Sequence, residues 1–270
     1  AASGLGWQGG AAVLAALVEA LSDKDLAVRR EAAKALGMMG DPNTAGPLAK
    51  ALSDSDADVR CAVVDALGVI GGPAVSEPLI RSLADSEASV RRKAARGLRN
   101  VDDDRAVRPL IAAISDSDED VATAAIETLG RLGDPNAVDA LAAALTGPNE
   151  NLAVEAARAL GLIGGGKAIG VLSKAMPSLS TDRRDAAVQG LGGACDPNAA
   201  AALERALKDS EPFVRASAAE ALGATGARAS APALIAALSD GEYVVRRKSA
   251  AALGLIGDSR CVGPLVKLLG

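Results

Sequence analysis

The sequence predicts an all-α fold, a solenoid of eight stacked 31-residue helical hairpins preceded by a half-repeat. Three observations carry that prediction. Leucines stand at Leu36, Leu67, Leu98, Leu129, Leu160, Leu191, Leu222 and Leu253, each 31 residues after the last. Two further apolar columns keep the same interval: Leu48, Leu79, Leu110, Leu141, Leu172, Leu203, Leu234 and Leu265, then Leu52, Leu83, Ile114, Leu145, Met176, Leu207, Leu238 and Leu269. The third observation is composition, 49% hydrophobic but only 1% aromatic. Such a core packs through alanine and leucine, which suits close helix–helix approach rather than the β-branched and aromatic surfaces of sheets.

Residues 22–52 show how one unit is built. Val28, Ala32, Ala35, Leu36 and Met39 fall at helical spacing and define a first helix. Ser22 and Asp23 precede it and are expected to accept hydrogen bonds from its free N–H groups, where negative charge also suits the helix dipole. Gly40, Asp41 and Pro42 end it, glycine by tolerating a left-handed backbone and proline by being unable to continue the helix. Ala45, Leu48, Ala49 and Leu52 form the stripe of a second helix, with Pro47 early enough that its missing donor costs little. A lone hairpin of this kind cannot bury its apolar faces, so successive units must stack. The predicted organisation is a glycine-rich N-terminal segment and half-repeat cap over 1–21, then a single continuous array over 22–269.

Composition also narrows function. A net charge of −5 argues against general nucleic-acid affinity, which needs clustered cations. No apolar run approaches the roughly 20 residues that span a bilayer, and Ala1 to Gly10 lacks the pattern of a signal peptide, so a cytoplasmic protein without membrane association is expected. Cys61, Cys195 and Cys261 lie far apart and are expected to be free buried thiols. The chain has no histidine, which removes the commonest general base and metal ligand together. No Ser-His or Cys-His nucleophile exists, and no catalytic, cofactor or metal residue is assigned. Gly164, Gly165 and Gly166 do not form a phosphate loop, since neither a Lys-Ser nor a Lys-Thr dipeptide follows.

The segment VRREAAKALGMMGDPNTAGPLAKAL resembles the HEAT-like repeat of phycobilisome bilin lyases, the PBS-lyase HEAT-like repeat, and the likeness runs over 22–269. The resemblance implies eight HEAT-like hairpins whose second helices line a concave face. That family includes bilin lyase subunits, deoxyhypusine hydroxylase, assembly scaffolds and engineered binding proteins. The hydroxylase holds iron through His-Glu pairs, so the absence of histidine removes that activity. Departures from the pattern are Asp102, Asp103 and Asp104 in place of Gly-Asp-Pro, and Arg183 where other units carry valine or leucine.

Six units carry an arginine in register, Arg29, Arg60, Arg91, Arg184, Arg215 and Arg246, and Asp23, Asp54, Asp85, Asp116, Asp209 and Asp240 recur with them. Charge locked into a repeat is what a shared scaffold requires, so these are read as pairs between stacked repeats. Specificity is sought instead where register positions vary. On the second helix these are Gly46, Glu77, Arg108, Asp139, Gly170, Ala201, Pro232 and Gly263, and Lys50, Arg81, Ala112, Ala143, Lys174, Arg205, Ala236 and Lys267. The candidate partner-binding residues are therefore Lys50, Glu77, Arg81, Arg108, Asp139, Lys174, Arg205 and Lys267. Their basic cast suits an acidic protein surface; nucleic acid is disfavoured because no aromatic side chains interleave. Arg91, Arg92, Lys93, Arg96 and Arg99 form another basic run on the third first-helix.

At the ends, Trp7 and Leu5 are expected to fold over the first hairpin. Leu268 beside Leu269 leaves an apolar C-terminal end that points to a continuing chain, a docked partner or a homodimer. The expected function is a non-enzymatic protein–protein interaction scaffold that binds its partner on the second-helix surface. The alternative, implied by the resemblance alone, is a subunit of a bilin lyase or chromophore-processing complex. A base-excision enzyme of the helical-repeat type is disfavoured, since Trp7, Phe213 and Tyr243 are dispersed.

Overall fold

The computed structural model describes residues 2–101, 103–194 and 196–267, and for 2–9, 197, 264, 265 and 267 the backbone alone. Among the described residues the chain is all-helical, with no strand. Its contacts divide it into two compact units, 1–132 and 133–270. Unit 1 holds α1 (Ala2–Ala20), the pairs α2 (Leu26–Met39) with α3 (Ala45–Ala51), α4 (Ala57–Ile70) with α5 (Pro73–Ser82), α6 (Ala88–Gly97) with α7 (Val107–Ala113), and α8 (Glu119–Leu132). Unit 2 holds α9 (Val138–Leu145), then α10 (Glu150–Ile163) with α11 (Gly165–Ala175), α12 (Thr181–Gly193) with α13 (Ala200–Ala206), α14 (Pro212–Thr225) with α15 (Ala231–Ala237), and α16 (Tyr243–Ile256) with α17 (Val262–Lys267). Within each unit, first helices pack on first helices and second helices pack on the first helices beside them, with α3 also against α5 and α9 against α11, as a helical solenoid requires.

The helix boundaries follow from local chemistry. The cap of α2 is Asp25, whose carboxylate accepts from the Ala27 N–H, two residues later than the Ser22–Asp23 start expected from sequence. Asp23 instead accepts from the Asp25 N–H at 2.8 Å, shaping the turn that delivers the cap. The same Asx arrangement recurs at Asp54, Asp85, Asp116, Asp209 and Asp240. Gly40 ends α2 with φ 64°, a left-handed conformation that side chains disfavour, and its N–H closes onto Leu36 and Gly37 carbonyls. Pro42–Thr44 then make a 3₁₀ turn into α3. At the N-terminus, the glycine-rich segment and the half-repeat form one helix, α1. The side chains of Trp7 and Leu5 lie outside the described residues, as do Asp102, Cys195, Leu268 and Leu269.

The columns read from sequence form the core. Every leucine of the first column, Leu36 to Leu253, is 0–1% exposed. Leu48, Leu79, Leu110, Leu141, Leu172, Leu203 and Leu234 are fully buried. The third column is less deep, with Leu145, Met176, Leu207 and Leu238 buried and Leu52, Leu83 and Ile114 intermediate. Val28 and Met39 depart from expectation. They are 41% and 43% exposed, although the register equivalents Val59, Val90, Val121, Val214 and Val245 are fully buried. Val28 stands in the opening pair, beside α1 rather than between two long first helices.

Close approach between first helices depends on a glycine meeting a small residue 29 positions later. Gly37 faces Ala66, Gly68 faces Gly97, Gly192 faces Ala221 and Gly223 faces Ala252. A Cβ on Gly223 would stand 2.8 Å from the Ala252 Cα. Arg99 occupies the glycine position of the third pair, and there the α-helix stops at Gly97 and gives way to a 3₁₀ turn over Leu98–Asn100.

Candidate partner-binding surface on the second helices

The chain has no histidine, and part of its charge is already used by the fold in an arginine–aspartate ladder. Arg60 presents Nε and Nη2 to the two Asp85 carboxylate oxygens, each at 2.8 Å, while Nη1 donates to the Asp54 carbonyl at 2.9 Å. Arg29–Asp54, Arg91–Asp116, Arg184–Asp209 and Arg215–Asp240 repeat the bidentate pairing, always 25 residues apart. Side-chain exposure in these pairs is 9–19%, so solvent competes weakly. The Arg91 guanidinium holds the Asp116 carboxyl below its ordinary range, and Arg215 does the same to Asp240. The fork thus ties the start of a first helix to the loop that leads into the next one.

Two further structural charges lie off the ladder. Arg183, out of register with the other arginines, pairs with Glu150 and donates to the Gly147 and Leu145 carbonyls. Ser76 Oγ and Arg105 bond the Asp103 carboxylate, with Arg105 first in effect, and depress its pKa well below the usual carboxylate range.

The variable second-helix columns behave differently. Gly46, Glu77, Arg108, Asp139, Gly170, Ala201, Pro232 and Gly263 are all exposed. So are Lys50, Arg81, Ala112, Ala143, Lys174, Arg205 and Ala236; of Lys267 only the backbone, in α17, is described. Exposure here is a property of the position, kept whether the residue is lysine, alanine or glycine. In unit 1, Lys50, Arg81 and Arg108 have no ion-pair partner among the described residues, and in unit 2 the same holds for Lys174 and Arg205. Asp139 differs, since it pairs with Lys167 at 2.8 Å. Glu77 lies near Arg105, whose own carboxylate partner is Asp103.

Crevices separate successive second helices. One of about 500 Å³ runs between α1 and α3, with Lys50, Val18 and Pro47 on its walls and the Arg29–Asp54 pair in its lining. The next, about 240 Å³, lies between α3 and α5 and is lined by Ala49, Leu52, Arg81 and Asp85. In unit 2 a smaller crevice of about 140 Å³ is lined by Met176, Pro177, Val214 and Arg205, together with Arg184 and Asp209. Each therefore combines apolar wall, an Asp already chelated by arginine, and one unpaired cation.

A family model described as HEAT repeats matches residues 1–53, 14–99, 76–161 and 172–254. The chain belongs to the HEAT-repeat family. The model for the PBS lyase HEAT-like repeat matches residues 245–270. No curated protein sequence matches the chain. Among solved structures, the Escherichia coli protein YibA is similar with a TM-score of 0.55 and 19% identity, over 90% of this chain and 92% of its own. An engineered protein is similar with a TM-score of 0.52 and 22% identity, over 94% and 81%. Human deoxyhypusine hydroxylase, in complex with glycerol, aligns with a TM-score of 0.43 and 25% identity over 92% and 98%.

A HEAT-repeat scaffold commonly mediates protein–protein contact. Two features of this HEAT chain correct the sequence reading. Three of the five cations in the basic run that begins on α6 are neutralised, because Arg91 pairs with Asp116, Arg92 with Asp120 and Lys93 with Asp65, while Arg96 and Arg99 stay exposed. The Asp139–Lys167 pair was also missed. Its signal is a spacing of 28, which recurs in Arg92–Asp120, Asp65–Lys93 and Glu220–Lys248. Cys61 and Cys261 are free and buried as expected, and burial raises the Cys261 thiol pKa. No described helix is long and apolar enough to cross a membrane.

Proposed function

We propose that this HEAT-repeat chain is a non-enzymatic scaffold that holds a partner protein along the exposed face of its second helices, with Lys50, Arg81, Arg108, Glu77, Lys174, Arg205, Lys267 and Asp139 as contacting residues. The observation that carries the reading is the division of labour among cations. Five of the six arginines at fixed register are consumed by the ladder, whereas Lys50, Arg81, Arg108, Lys174 and Arg205 at variable register are exposed and unpaired among the described residues. Lysine and arginine stranded on a surface of a chain with net charge −5 have no structural need to be there. An acidic partner surface supplies their counter-charge, and affinity spread over several repeats needs no single deep pocket.

Affinity capture from the native host tests this reading. Proteins retained by the wild type and identified by mass spectrometry should be lost from the quadruple variant Lys50→Glu, Arg81→Glu, Lys174→Glu and Arg205→Glu. They should be kept by Arg96→Glu with Arg99→Glu, which alters exposed cations on a first-helix segment. Identical captures from all three proteins would dispose of the second-helix surface. The match of residues 245–270 to the PBS lyase repeat favours a second reading, a subunit of a bilin lyase. A shifted visible spectrum on incubation with bilin, alone or with a second subunit, is its expected sign, and an unchanged spectrum rules it out.

A further inference from the structure

We infer that the occupant of the second-helix surface is an extended acidic segment that sets carboxylates three residues apart, one for each cation of a consecutive pair, Lys50 with Arg81 or Lys174 with Arg205. This rests on the protein-binding reading above and adds to it the chemistry and spacing of the ligand.

The argument starts from register. Lys50 and Arg81 hold the same position 31 residues apart, on α3 and α5, which pack side by side. Lys174 and Arg205 stand at the same register interval in unit 2, on α11 and α13, which line one crevice. Each unit thus presents two cations in consecutive repeats, and the next position after each pair in register is alanine, Ala112 or Ala236. Three of the four line crevices: Lys50 the first, Arg81 the second and Arg205 the third. The aspartates lining those crevices do not cancel them, since Asp54 is chelated by Arg29, Asp85 by Arg60 and Asp209 by Arg184. Asp23 also lines the Lys50 crevice and offsets part of its charge, so Arg81 and Arg205 are the stronger positions.

Geometry then selects the backbone of the ligand. Packed helices lie about 8–10 Å apart. A polyproline II chain has three residues per turn and rises about 3.1 Å per residue, which sets residues i and i+3 on one side about 9 Å apart. A β-strand sends i and i+3 to opposite faces, and neighbouring side chains on one face of an α-helix are only about 5–6 Å apart. Acid-x-x-acid in polyproline II conformation is the pattern that meets two consecutive cations. The apolar walls at Val18, Pro47, Met176 and Pro177 suit proline as the intervening residue.

The test uses the full chain and two fluorescein-labelled peptides of one composition, (Glu-Pro-Pro)₄ and (Glu-Glu-Pro-Pro-Pro-Pro)₂, by anisotropy at low ionic strength, where exposed charge is least screened. The expected result is at least fivefold tighter binding of the evenly spaced peptide. That preference should disappear in Arg81→Gln with Arg205→Gln, two exposed positions whose replacement circular dichroism should show to leave the helices intact. If the double variant unfolds, Lys50→Gln with Lys174→Gln supplies the same comparison. Equal binding of both peptides by the wild type overturns the spacing while leaving an acidic partner standing. Binding of neither overturns both readings, and tighter binding of a single-stranded oligonucleotide than of either peptide replaces the ligand class.

Discussion

Ser249 is fully buried, and its hydroxyl has no hydrogen-bond partner among the described residues. Its register equivalents are Ala32, Val63, Ala94, Ala125, Ala156, Ala187 and Ala218. A buried hydroxyl without a partner carries its desolvation cost uncompensated. Ser249→Ala should therefore stabilise the protein by about 1 kcal/mol, read as a higher midpoint in urea, and a lower midpoint would show that a partner exists. Gly223→Ala should go the other way. Helix propensity favours alanine by about 1 kcal/mol, but the added Cβ would meet the backbone of Ala252 at 2.8 Å. Forced overpacking costs about 1–3 kcal/mol, so the net change is a loss of stability. Serine among alanines was visible in the sequence as an irregularity, but its sign was not, because nothing in a column of letters says whether an oxygen finds a partner. The glycines were legible in the same incomplete way, periodic in sequence but explained only by the helix that faces them.

Among elements, the arginine ladder was the most legible feature after the leucines. The reason is that both ends of a pair vanish together: Ala122 stands where the arginine would be and Gly147 where its aspartate would be, and Ala153 is likewise matched by Ser178. A cationic binding stripe would have no cause to lose its aspartates in step. What sequence did not disclose is that Arg183 donates to the Gly147 carbonyl, which a ladder arginine at position 153 would reach by the same six-residue interval seen for Arg60 and Asp54. Truncating one fork, Arg91→Ala, leaves the carboxylate of Asp116, 12% exposed, without its counter-charge. A loss of about 1–3 kcal/mol is expected. The pH dependence follows from the depressed folded pKa of Asp116 and Asp240. Their stabilisation is complete above the unfolded aspartate value of about 3.9 and is lost as pH falls below it toward the folded values. Asp116→Asn should flatten the acid limb of the stability curve below about pH 5; an unaltered limb would mean that the pair contributes nothing.

For the whole molecule, the fold class was readable because three columns repeat at one interval, whereas the crevices were not, because they arise between helices of successive repeats. Exposure of the second-helix columns sits between these cases: variability hinted at it, and burial values supply it. The same repetition decides how damage spreads. Leu191 on α12 is fully buried, and α12 packs on α10 and α14 within unit 2. Leu191→Ala removes buried apolar volume and leaves a cavity, for about 2–5 kcal/mol. In a globular core that loss would be felt everywhere, but in a stack each repeat answers mainly to its neighbours. Hydrogen exchange should therefore accelerate in the amides of α10, α12 and α14 and stay unchanged in α2 and α4 of unit 1. Acceleration of equal size in both sets would mean that the chain unfolds as one cooperative body, and a scaffold spreading its affinity over semi-independent repeats would then have to be given up.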